Sequence, residues 1–146
     1  MEILKIILAT IAGTTFMTAF SYLISESFNK LFKEPVLLNY ALKALRMELS
    51  ASARKTTGWA IHYLIGALFV IGYHMIWKFE ILPVNWKSAL ILGAASGMLG
   101  ILGWMLIFMI PANNPPVRFG QYYLQLFFAH IFFAAGATAI YMILPS

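Results

Sequence analysis

Three histidines and two tyrosines are the residues here whose types and spacing could do more than pack. His62 and Tyr73 stand eleven residues apart, as do His130 and Tyr141. Eleven residues make three helical turns plus about 20°, so each pair shares one helix face. The position four after each histidine is small, Gly66 in one case and Ala134 in the other. An imidazole can ligate a metal, accept a hydrogen bond or carry a proton, and a phenol can donate to it. Two imidazoles on facing helices would have the form of an axial pair for a b-type haem, and a His/Tyr stripe could hold a quinone. His74 lies twelve residues after His62, roughly 18 Å along a helix and about 120° around it. Those two cannot share one ion, and His74 is expected at a membrane boundary beside Trp77.

Other chemistry is thinly represented. The chain has no cysteine, hence no disulfide, thiolate nucleophile or thiolate metal site. A pair of histidines lacks the third protein ligand of a zinc centre, so no metal site is expected. Glu26 and Glu34 read as loop residues without an identifiable partner, and no catalytic set is expected. The basis for expecting an enzyme is therefore absent.

The elements that must position these side chains follow from composition. Of 146 residues, 62% are hydrophobic and 10% charged, too little polar surface to cover a soluble domain. A span needs about 20 mostly apolar residues. Four segments qualify, at about residues 3–25, 57–77, 88–110 and 121–143, and none contains Asp or Glu. The first is expected to be a retained helix rather than a cleaved leader. The fold expected is an all-α membrane protein in a single domain, 1–146.

The four spans also alternate in character. The first carries Thr10, Thr14, Thr18, Ser21 and Ser25 on one face. The third carries Gly93, Ser96, Gly97, Gly100 and Gly103, a small-residue face for close helix packing. A small-faced helix followed by a His/Tyr helix, twice over, predicts two similar hairpins in parallel repeat. His62 and His130 would then lie at similar depth, with Thr14 and Thr18 as partners for polar contacts.

Between the first two spans, residues 36–50 predict an amphipathic helix lying on the membrane surface. Pro35 suits its first turn. Asn39, Lys43, Arg46 and Ser50 form its polar wedge, and Glu48 falls toward the apolar side, where it needs a partner. The first and third loops hold seven of the basic residues (Lys30, Lys33, Lys43, Arg46, Arg54, Lys55, Arg118) against three on the other side (Lys5, Lys78, Lys87). The positive-inside rule places those two loops in the cytoplasm and both termini outside. The basic loop needs no nucleic acid to explain it.

The stretches "AGTTFMT" (12–18), "HYLIGALFVIGY" (62–73), "GMLGILGWMLIFMIP" (97–111) and "HIFFAAG" (130–136) resemble small four-helix bacterial membrane proteins grouped in domain-of-unknown-function families. The resemblance spans most of the chain apart from the first loop. It implies a compact bundle in a bacterial inner membrane with His and Tyr facing inward, and no activity. The function expected is that of an accessory, scaffold or interaction subunit, with the bilayer and another membrane chain or further copies of itself as partners and no resident cofactor. The alternatives are a haem- or quinone-binding electron-transfer protein using His62 and His130, and an oligomeric transporter of a small solute or lipid.

Overall fold

The computed structural model describes residues 1–109 and 117–144. Among them the chain forms five helices: α1 (Glu2–Ser27), α2 (Glu34–Ala44), α3 (Ala51–Lys78), α4 (Trp86–Phe108) and α5 (Phe119–Ile143). Four of them, α1, α3, α4 and α5, are long and apolar enough to cross a membrane. The third loop, with Pro111, Pro115 and Pro116, lies outside the described residues.

Local chemistry sets the helix ends. The Ser50 hydroxyl accepts from the Ala53 N–H, so α3 starts earlier than residue 57. The Asn85 side chain caps α4 in the same way through the Ser88 N–H, at 2.9 Å. The chain leaves α1, α2 and α3 through a residue in the left-handed region, Asn29, Arg46 and Glu80 at φ 50°, 52° and 54°. Backbone bonds then close the exposed carbonyls, Lys30 N–H to Ser25 and Ile81 N–H to Ile76.

Glycines decide which helices approach closely. A Cβ at Gly13 would come within 2.9 Å of the Phe133 carbonyl oxygen, and one at Gly136 within 3.1 Å of Gly13 Cα. Helices α1 and α5 therefore cross almost backbone to backbone. Gly93 and Gly97 bring α4 against α5 at Ile131 and Phe127. Helix α3 packs on α1. Along most of their length α3 and α4 are not packed on each other. They are bridged toward one end, where the Tyr73 hydroxyl meets Ser96 Oγ at 2.6 Å. A twofold relating two equivalent hairpins would pair α3 with α4 as closely as α1 with α5; the contacts are unequal instead.

The helix of the first loop is shorter than expected, ending at Ala44 rather than near residue 50. Arg46, in the left-handed region, turns the chain out of the helix. Eleven residues are too few for a helix to persist alone in water. Burial of Pro35, Leu37, Leu38 and Leu42 sustains it, and that side meets protein: Gly58 of α3 lies against the Pro35 carbonyl and Asn39. Glu48 falls beyond the helix and is exposed, so it needs no partner. The acid that does is Glu34, in the first turn and 1% exposed.

Candidate functional site

The buried stripe of α1 runs Thr10, Thr14, Thr18, Ser21, Ser25 at helical spacing and turns inward. Two of its hydroxyls satisfy backbone carbonyls one turn back, Thr10 to Ile6 and Thr18 to Thr14. Thr18 is also 2.9 Å from His62 Nε2 of α3. The single Thr18 hydrogen is committed to the Thr14 carbonyl, which can only accept. The imidazole must therefore donate through Nε2–H, and Nδ1 is left as a lone-pair acceptor. His130 of α5 is held in the complementary tautomer. Its Nδ1–H donates to the Leu126 carbonyl at 2.9 Å, which leaves Nε2 as the acceptor. Gly100 of α4 makes room for that ring, since a Cβ there would come within 2.8 Å of Nε2.

At the α2 end a second chain of bonds holds a carboxyl group. Gln125 Nε2 of α5 donates to Ser21 Oγ at 2.6 Å, and Ser21 donates to Glu34 Oε1 at 2.5 Å. Glu34 Oε2 has no partner among the described residues. Burial pushes this carboxyl from 4.5 up to about 7, and the bond from Ser21 only partly opposes it. Near neutrality Glu34 thus exists in both protonation states, unlike an exposed glutamate.

These groups converge on one cavity of about 200 Å³. Thr14 of α1, Glu34 of α2, His62 of α3 and His130 of α5 supply its polar wall. Met17, Leu38, Phe69, Trp104 and Phe133 supply most of the apolar remainder. Thr14 Oγ1, like Glu34 Oε2, is buried without a partner among the described residues. Ile65 of α3 and Leu99 of α4 also line the cavity and are exposed, 38% and 60%, on the outside of the bundle. Both sit near the middle of their helices, so the cavity opens sideways between α3 and α4 at mid-span.

The residues singled out from the sequence separate into groups. His62, His130, Thr14 and Thr18 meet at or beside the cavity. Tyr73 instead reaches across to Ser96 of α4. The Tyr141 hydroxyl and His74 Nδ1 are hydrogen-bonded at 3.0 Å, with the Glu2 carboxylate 3.9 Å from His74 Nε2. The two His/Tyr stripes therefore split, with imidazoles at one site and phenols engaged elsewhere. Of the α4 glycines, Gly93 and Gly97 pack on α5, Gly100 faces His130, and Gly103 has open space and lines the cavity. Glu34 and Gln125 were missed. Pro35 marks the start of the helix that carries Glu34, but nothing local shows that this helix turns back under the bundle. Among the described residues no three His, Asp or Glu side chains are placed to hold a metal ion. No protein-family model matches the chain, and no curated protein or solved structure is found to be similar to it.

Proposed function

We propose that this chain is a small integral membrane protein that binds a membrane-dissolved amphiphile, its head in the cavity and its tail in the cleft between α3 and α4. One observation carries the reading. Two residues that line a lipid-facing cavity, Thr14 and Glu34, each carry a buried polar atom, Oγ1 and Oε2, with no protein partner among the described residues. Buried polar groups are otherwise almost always paired, because leaving one unpaired costs about 1–3 kcal/mol. A bound head group would supply the missing bonds. Whole drug-sized ligands occupy roughly 300–1,000 Å³. A space of about 200 Å³ suits one ring or a glycerol-sized head, a better match to the quinone-like alternative than to a haem between His62 and His130.

The location that goes with this reading is a bacterial inner membrane, with the first and third loops cytoplasmic by their basic residues. Helix α2 then sits at the cytoplasmic interface and closes the bundle end beneath the cavity. The accessory-subunit reading uses the same cleft differently. A partner helix would seat against α4 at Gly103, where a Cβ meets nothing. The test is Gly103→Leu, which fills the cavity without a backbone clash. Small molecules extracted from wild type and variant, purified in mild detergent, are compared by mass spectrometry. A species enriched with wild type and lost from the variant supports the ligand. Identical extracts, with a co-purifying protein lost instead, favour the partner.

A further inference from the structure

The cavity's hydrogen-bonding pattern narrows the occupant, given the ligand-binding reading above. His62 spends its one N–H on Thr18, and His130 spends its own on the Leu126 carbonyl. Neither neutral ring can donate to a ligand; each offers only a lone pair. Glu34 Oε1 is occupied by the Ser21 hydroxyl, and Oε2 is buried with no partner among the described residues. Thr14 Oγ1 can donate or accept. Among the described residues no lysine or arginine lines the cavity. An anionic head would meet two lone pairs and an acidic side chain without a countercharge. A head bearing only ether or carbonyl oxygens would leave both imidazoles without a donor.

We propose that the occupant's head is a neutral hydroxylated group, at least two O–H donors on one ring or short polyol, held by His62, His130, Glu34 and Thr14. Each hydroxyl donates to an imidazole nitrogen and still accepts from Thr14 or from the protonated Glu34. Two membrane-soluble sources have this chemistry, the hydroquinone form of a lipid quinone and a monoacylglycerol. The apolar wall of Phe69, Trp104 and Phe133 accommodates either head.

The experiment uses the full-length protein in nanodiscs and tryptophan fluorescence, Trp104 being at the cavity wall. Four probes with equal ten-carbon tails are titrated without oxygen: a decyl hydroquinone, its dimethyl ether, a decanoyl monoglyceride and decyl phosphate. At least one hydroxylated probe should bind about tenfold or more tightly than the ether and the phosphate. That preference should vanish in Gly103→Leu. The tighter of the two hydroxylated probes names the source. If neither hydroxylated probe binds more tightly than the ether, or if the phosphate binds more tightly than both, the inference is overturned. If no probe binds while wild type still co-extracts a molecule that Gly103→Leu lacks, the inference falls and the proposed function stands. If the extracts also match, the proposed function itself fails.

Discussion

Glu34→Gln should remove a pH dependence of stability that the wild-type chain carries. The carboxyl is 1% exposed and is pushed from 4.5 up to about 7 by burial. A group whose folded pKa lies above its unfolded value binds protons more tightly in the folded state. Its contribution is complete below pH 4.5 and is lost as the pH rises to about 7. The gap of about 2.5 pH units corresponds to about 3 kcal/mol, at about 1.36 kcal/mol per unit. For a chain of this size that is roughly 6–12 °C in Tm. The substituted amide can still accept from Ser21 and has no charge to desolvate. Thermal unfolding in one detergent, from about pH 4 to about pH 8.5, checks this window. The two proteins should match at its acid end, and the variant should gain steadily on wild type up to neutrality. Other carboxylates titrate in both and cancel. Parallel curves across the whole range would show that Glu34 is solvated or ion-paired, and the site as described would be wrong.

Other substitutions test the packing. Gly93→Leu should cost about 1–3 kcal/mol or more, since even its Cβ would lie 2.7 Å from Ile131 Cα, backbone that cannot rotate away. Unfolding in sodium dodecyl sulfate reads this out, and an unchanged midpoint would contradict the α4–α5 contact. Tyr73→Phe removes the hydroxyl that joins α3 to α4 through Ser96 Oγ and the Leu92 carbonyl, and leaves Ser96 bonded to that carbonyl. The loss should be about 0.6 kcal/mol and no more than about 1.7; the same titration detects a larger value. Glu80→Gly should stabilise by about 1 kcal/mol, because φ 54° burdens an L-residue and not glycine. A lower Tm in that variant would mean that the Glu80 side chain makes a contact outweighing the strain.

The sequence revealed the helices more fully than the site. Four long apolar runs can do little but form helices, and all four lie within two or three residues of expectation except at the start of α3. There the polar residues 51–56 hid a helix that Ser50 caps. The inward Thr/Ser face of α1 was readable from spacing alone, and so was the role of small residues on α4. What could not be read was which face meets which helix. Gly13 and Gly136 bring α1 and α5 together, and nothing in the short motifs that hold them says which helix each one meets. That choice separates α3 from α4, sends Tyr73 to Ser96, and leaves Tyr141 with His74. Glu34 reads as a loop residue in the sequence because it lies between two predicted elements. Its burial depends on α2 turning back under the bundle, a tertiary event without a local signature.

Unequal helix spacing is also what creates the cavity. Glycines at the helix crossings draw α4, α5 and α1 into a tight layer, and α3 rests chiefly on α1 among the membrane-length helices. The gap toward α4 is held open by rings, with Phe69 edge-on to His130 at 5.5 Å and to Phe133 at 6.1 Å. Gly103 faces that gap with nothing opposite its missing Cβ. With no ligand bound, filling that space is favourable. A leucine there would gain contacts and lose about 1 kcal/mol of glycine's helix penalty. Gly103→Leu should therefore be more stable than wild type in the absence of ligand and unable to bind it. A variant that is both less stable and still ligand-bound would mean that the wall at Gly103 is closed, and that the head group enters elsewhere.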